Sequence, residues 1–319
     1  MTLAFPAWRR AYLAVSGPVI DLALERGHAV ELLWKPEAKR GESVTRSELA
    51  ALWPAATVRP SSETSRGTVV IGPQLETHRF IGWPAGGVIS LDYCWEQANA
   101  PVRPDLTQCY VSEYQRQLAG GFGPVTGSTQ LEGWERAEPL PQHLLLPIRK
   151  PIVLLFSCKF GVGGWARWVY RWVGYRRLLR RLRAWCDREG YALVVKTREK
   201  HRDPGYVYSY ADAVFNGMDL YPSTSLRLLR SAMVAVHFQS NAALEIAHAG
   251  LPQYSVRLPQ PHLKGYRTTP EVYSGKVGTL GHWPGVIRLL GDDAEPHPYA
   301  LDPKALARYR ARYLGPPGA

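Results

Sequence analysis

The sequence predicts an α/β protein built from two Rossmann-like domains, and three observations carry that expectation. Residues 231–259, SAMVAVHFQSNAALEIAHAGLPQYSVRLP, read as strand, polar turn, helix and second strand, one complete βαβ unit. A fresh alternation of apolar runs with helical stretches starts at Ile152, behind a segment holding Pro139, Pro141, Pro147 and Pro151. The length, 319 residues of which 45% are hydrophobic, exceeds what one small core organises and suits two domains of ordinary size. The expected divisions are a first domain over 1–130, a linker over 131–150 and a second domain over 151–319.

In the first half, Thr2–Pro6 reads as the opening strand, with Trp8, Arg9 and Arg10 in a basic loop behind it. Ser16-Gly17-Pro18 predicts a helix start, because proline fits a first helical turn, and Ile20, Leu22 and Leu24 then fall near one face before Gly27 ends it. His28–Leu33 is the next strand, and His28 at the helix end suits the dipole when protonated better than it suits a base. Polar residues 35–66 hold one short helix over Ser47–Trp53. Residues 67–72 and 86–91 are buried strands, and around them lie Glu76, His78, Arg79, Asp92, Tyr93, Trp95 and Glu96, polar groups of the kind a reaction cleft uses. Asp92, directly after a strand, and His78 are the candidate bases. Residues 108–114 read as a strand running into a helix.

In the second half, Ile152–Ser157 is a buried, parallel-type strand. The turn KFGVGG (159–164) follows, where Gly163 permits close backbone approach to a phosphate; it lacks the Gly-Lys-Ser/Thr ending of a P-loop and the full dinucleotide fingerprint. A long helix then runs to about Asp187. Over Trp165–Trp185 it places Trp168, Trp172, Leu178, Leu179 and Leu182 at helical spacing, with a dense row of arginines on the other side. Two readings of this helix stay open: core packing with a solvated arginine face, or peripheral attachment to an anionic membrane surface. Residues 191–198 form a strand that leaves Lys196 and Arg198 near its carboxyl end. A minor strand over 212–215 and a helix from Tyr221-Pro222-Ser223 to about Ser231 lead into the βαβ unit. There Gly250 supplies a left-handed cap and Pro252 stops the helix. An edge strand at 275–278 and helices at 284–290 and 303–314 finish the chain.

The chain carries 39 Lys and Arg against 27 Asp and Glu, a net charge of +12. That balance favours anionic ligands, an anionic membrane surface or nucleic acid without choosing among them. No recognisable nucleic-acid module is present, which counts against the last. The four cysteines form no CxxC and read as reduced packing residues of a cytosolic protein. No apolar run approaches the ~20 residues of a membrane span, and MTLAFPAWRR lacks a signal peptide's apolar core. A cytoplasmic protein, at most peripheral on the inner membrane face, is expected. At the turn Gln239-Ser240-Asn241, open amides of Asn241, Ala242 and Ala243 backed by the helix dipole favour a phosphate or diphosphate, with Ser240 or Asn241 capping or donating. Glu245, one turn further in, can accept from sugar hydroxyls, and Lys196 and Arg198 can neutralise a leaving anion. The same serine and glutamate also suit a plain capped helix.

Ser240, Glu245, Ala247, Gly250 and Pro252, in the order S-x4-E, A-x2-G-x-P, resemble the nucleotide-binding element of GT-B glycosyltransferases and related nucleotide-sugar enzymes. LERGHAVELL (24–33), GPVTGS (123–128) and VVKTREKH (194–201) are similar to passages of the same enzymes. The chain looks most like the broad grouping of bacterial surface-polysaccharide glycosyltransferases and CDP-glycerol glycerophosphotransferase-like enzymes, over 151–259 and more loosely to 314. The resemblance implies two Rossmann-like domains facing across a cleft. It further implies metal-independent transfer of a glycosyl or glycerophosphoryl-like group from a nucleotide-activated sugar to a carbohydrate or lipid-linked acceptor, with no cofactor beyond the donor. Lys196, Arg198, Ser240, Asn241, Glu245 and Gly163 would bind the donor. Retaining members carry E-x7-E, whereas His237 stands eight residues before Glu245, which favours inversion; the Asp-Tyr-Ser-Ser passage of the glycerophosphotransferases is absent. Epimerisation or hydrolysis of a nucleotide sugar, and a noncatalytic basic protein that binds membrane or nucleic acid, are the alternatives.

Overall fold

The computed structural model describes residues 1–36, 43–63, 67–73, 86–91, 106–140, 150–157, 175–197, 203–217, 220–238, 240–256, 294–296 and 303–314. The chain divides into two compact units. Unit 1 is Met1–Arg136 with Leu220–Pro222 and Arg312–Ala319, and unit 2 is Ala137–Asp219 with Ser223–Ala311. The first division falls within the segment 131–150.

Unit 1 comprises β1 (Thr2–Pro6), α1 (Arg10–Glu25), β2 (Ala29–Trp34), α2 (Arg46–Leu52), β3 (Thr57–Pro60), β4 (Val69–Pro73), β5 (Gly87–Leu91), β6 (Thr107–Gln108), α3 (Glu113–Ala119) and α4 (Thr129–Glu132). The strands lie in the order β3-β2-β1-β4-β5-β6, every pair parallel. Central strands buried on both faces explain the unbroken apolar runs Leu3-Ala4-Phe5 and Leu32-Leu33. The first helix differs from expectation: α1 begins at Arg10, and Pro18 lies inside it. Burial of Tyr12, Leu13 and Val15 extends the apolar stripe through Ile20 and Ala23, and that gain outweighs the backbone bond proline forfeits. Leu22, expected on the inner face, is 46% exposed, and Ala23 takes the core position. Gly17 is demanded by packing, since a Cβ there would stand 2.5 Å from a ring carbon of Tyr221. Strand β3, partly exposed along its length, was not anticipated.

Unit 2 comprises β7 (Ile152–Phe156), α5 (Tyr175–Glu189), β8 (Ala192–Lys196), a 3-10 turn (Gly205–Ser209), β9 (Ala213–Phe215), α6 (Thr224–Leu229), β10 (Ala232–His237), α7 (Ala242–Ala249), β11 (Gln253–Val256), β12 (Ala294–Pro296) and, through Ala311, α8 (Pro303–Tyr313). The order is β12-β11-β10-β7-β8-β9, parallel except for the antiparallel β12. The predicted strand at 275–278 and helix at 284–290 lie outside the described residues, and the edge strand that is seen, Ala294–Pro296, was not anticipated. Connections β7-α5-β8 and β10-α7-β11 step in opposite directions, so right-handed crossovers put α5 and α7 on opposite faces. Val153, Leu155, Leu193, Val195, Val234, Val236 and Tyr254 pack with Leu178, Leu179, Leu182 and Trp185 of α5. Alternation then assigns Val194, Lys196, Ala235, His237, Gln253 and Ser255 to the α7 face. Trp165, Trp168 and Trp172 lie outside the described residues, as do Cys94 and Cys158. Cys109 and Cys186 are buried thiols, and burial pushes the Cys186 pKa up to about 12. Among the described residues no helix is long and apolar enough to cross a membrane.

Candidate functional site

Winding in the unit 2 sheet reverses between β7 and β10. Doubly wound sheets take ligands outside the carboxyl ends of their strands at that reversal. Four features converge there from the sequence: Ser157 just after β7, Lys196 at the end of β8, His237 at the end of β10, and the Ser240-Asn241 turn into α7. Val236 is level with Leu155 and Lys196 with Phe156, so Lys196 and His237 stand at the same height two strands apart. That spacing is about 10 Å between backbones, which a four-carbon lysine stem largely spans. Lys196 is half-buried, and its ammonium donates to the Thr197 carbonyl at 2.8 Å.

The turn differs from expectation in its amides. Ser240 Oγ accepts from the Ala242 N–H at 3.3 Å, the Ser240 carbonyl from Ala243 at 3.0 Å, and the Asn241 carbonyl from Leu244 at 3.0 Å. Two of the three amides expected to be open are therefore engaged internally, because the first turn closes with i to i+3 bonds and the Ser240 hydroxyl takes up the Ala242 amide. A hydroxyl that accepts one bond still has a proton to donate. Asn241 occupies the N-cap position with helical dihedrals and makes no side-chain capping bond. Ser240, Asn241 and Ala242 are partly exposed, so the turn is not sealed inside unit 2. Glu245 is only 8% exposed.

Beneath the turn lies a row of neutral polar groups. His237 is fully buried, which pushes its pKa down to about 3 against the opposing pull of a bond to Gln253. Gln253 Nε2 donates to the Ala243 carbonyl at 3.1 Å, tying that row to the first turn of α7. Ser255, in register with His237, and Ser157 beside the reversal are both buried, and among the described residues neither hydroxyl has a hydrogen-bond partner. An uncharged imidazole in this position cannot take the part of a carboxylate. The sequence pointed to Lys196, Ser240, Asn241 and Glu245, and the structure gathers them at one end of one sheet. Ser157 and Gln253 were missed; alternation within LLFS and QYSV was the available signal. Asp92, His78, Arg198 and Gly163 lie outside the described residues. Among the described residues no group of three or more His, Cys, Asp or Glu is placed to hold a metal ion.

No protein-family model matches the chain, and no curated protein matches it in sequence. Solved structures do match. The chain is similar to S. aureus MnaA, solved with UDP, at 12% identity and a TM-score of 0.53, covering 100% of this chain and 92% of that one. It is similar to UDP-GlcNAc 2-epimerase from Neisseria meningitidis, bound to UDP-GlcNAc, at 11% identity and a TM-score of 0.53, covering 99% and 96%. A third match is the glycotransferase of kitacinnamycin, at 15% identity and a TM-score of 0.50, covering 98% and 96%. At such identities the likeness is one of fold, and the fold is the GT-B type with its two Rossmann-like domains.

Proposed function

We propose that the protein transfers a glycosyl group from a nucleotide-activated sugar to a hydroxyl of a carbohydrate or lipid-linked acceptor, in the synthesis of a surface polysaccharide or other glycan. The observation that supports this most is the start of α7 at the strand reversal of unit 2, where Ser240 follows three residues after His237, which stands level with Lys196. In this reading the diphosphate rests against the positive end of the α7 dipole, the Ser240 hydroxyl donates to it, and Asn241 contributes a further contact. Lys196 and Arg198 neutralise the charge that grows on the leaving nucleotide as the anomeric C–O bond breaks. Glu245 binds ribose or sugar hydroxyls, and Gly163 lets the backbone close on the phosphates. Asp92 or His78 takes the proton of the acceptor hydroxyl as its oxygen bonds the anomeric carbon. His237, standing where retaining members carry the first carboxylate of E-x7-E, supports a single, inverting displacement. Dipole and cations together stand in for a metal ion.

A second reading, epimerisation or hydrolysis of a nucleotide sugar, draws support from the fold likeness to UDP-GlcNAc 2-epimerase. The two part on whether product forms without an acceptor. Calorimetric titration of the full chain with UDP, GDP, CDP and ADP tests the shared premise. One nucleoside diphosphate should bind, and Lys196→Ala should weaken it about tenfold or more, the size of a lost charge-assisted bond. Binding that survives both Lys196→Ala and Glu245→Ala unchanged rejects the residue assignments; no binding by any of the four rejects the function.

A further inference from the structure

Helix α5 carries its arginines in two sets. Toward the carboxyl end, Arg183 pairs with Asp187 at 2.6 Å and with Asp212, and Arg188 pairs with Glu189 at 2.9 Å. Toward the amino end, Arg176, Arg177 and Arg180 are exposed and Arg181 is half-exposed, and among the described residues none of these four has a carboxylate partner. At 100° per residue the four span an arc of about 140°, directly opposite the arc that Leu178, Leu179 and Leu182 bury. Tyrosines of the 3-10 turn hold two of the guanidinium groups in place. Arg176 lies 5.8 Å from the centre of the Tyr206 ring, and the Arg176 and Arg180 guanidinium groups beside the Tyr210 hydroxyl draw its pKa down. Tyr208, between them, is 54% exposed.

We propose that this arginine face is a docking surface for the anionic phospholipid head groups of a bilayer. Like charges at i, i+3 and i+4 repel one another, and a plane of negative charge relieves that repulsion along the whole arc. A row of four cations along one side of a helix matches an extended plane of charge better than it matches a single phosphate. An exposed tyrosine beside it has the apolar body and polar tip suited to a membrane interface. A nucleic-acid strand would instead call for open ring faces on which bases stack. Here Tyr208 is open but Tyr206 is covered by Arg176 and met edge-on by Tyr175, with ring centres 6.3 Å apart, so the two do not form a stacking platform.

The inference does not rest on the proposed reaction, because docking is read without nucleotide. The full chain is sedimented with phosphatidylcholine vesicles that contain or lack phosphatidylserine, at low and high salt. Binding should require phosphatidylserine and weaken with salt. Each arginine should contribute about fivefold to partitioning, so changing Arg176, Arg177, Arg180 and Arg181 together to Gln should lower it several hundredfold. Lysine at all four positions should preserve it. Arg177→Glu with Arg181→Glu, which touches neither tyrosine contact, should also release the protein and serves should the fourfold glutamine variant fail to fold. Arg188→Gln, whose charge is already paired, should leave partitioning unchanged. Equal binding to vesicles without phosphatidylserine, or retention by the glutamate variant, overturns the proposal. So does tighter binding of a single-stranded oligonucleotide at the same salt that the glutamate variant loses.

Discussion

The two sheets share a winding, and each has a described strand-to-helix turn beside its reversal, one after β1 and the other after β10. In unit 1, β1 leads into α1 through Trp8 and Arg9, with Arg9 at the N-cap, Arg10 in the first turn and no acidic residue there. Lys35 adds a third cation, its ammonium 4.2 Å from the centre of the Trp8 ring. In unit 2, β10 leads into α7 through Ser240 and Asn241, with Glu245 as the acid of the first turn. Cations at the positive end of a helix dipole cost stability, so α1 tolerates a mismatch that α7 does not have. The unit 2 turn presents uncharged donors and takes its cation from β8, two strands away, at Lys196. Strand order supplies the place, and the few residues between strand and helix supply the chemistry.

The largest expected effects test whether the two cores are equally committed. Leu13→Ala in unit 1 and Leu179→Ala in unit 2, both fully buried, should each cost about 2–5 kcal/mol by denaturant titration. A much smaller loss at one of them would show a core that collapses around the gap. Next is pH, which acts on unit 2 through His237. The unfolded chain binds a proton near the ordinary histidine pKa that the folded chain refuses until about 3. Stability should therefore be level above about pH 6.5 and fall as pH drops below it, by up to about 1.4 kcal/mol per unit. His237→Asn should remove that slope, read as denaturation midpoint against pH.

Smaller effects sharpen the comparison at the helix starts and their supports. Gly17→Ala should cost unit 1 about 1–3 kcal/mol, because the added methyl meets the Tyr221 ring. Arg9→Asp should raise stability by about 1 kcal/mol by giving α1 the cap and the charge it lacks, and Ser240→Ala should lower it by a similar amount at α7. Opposite signs from the two substitutions, measured by thermal melting, would establish that only the α7 turn is locally optimised.

Strands buried on both faces were the most legible part of the chain, since runs such as Ile152–Phe156 have no other good use in a folded protein. The start and stop of α7 were legible for a related reason: Gly250, with φ at +75°, announces a left-handed cap. Strand β3 was not, because TVRP lies half-exposed at a sheet edge and carries no apolar run. The start of α1 was misplaced because Pro18 is a stronger local signal than the stripe of Tyr12, Leu13 and Val15. At the candidate site, residue types located Ser240, Asn241, Glu245 and Lys196. They could not tell which amides the Ser240 hydroxyl would claim, since that depends on the dihedrals of the turn. The link from His237 through Gln253 to Ala243 needs the register of β10 against β11, which no local pattern encodes.

Strand β12 has a practical consequence. Ser255 and Glu295 are direct neighbours on antiparallel strands, although residues 257–293 separate those strands in the chain. Antiparallel neighbours can be joined by a tight two-residue hairpin without reversing either one. A two-residue hairpin grafted from Val256 to Ala294 should thus leave both of its attachment points paired in the same sheet.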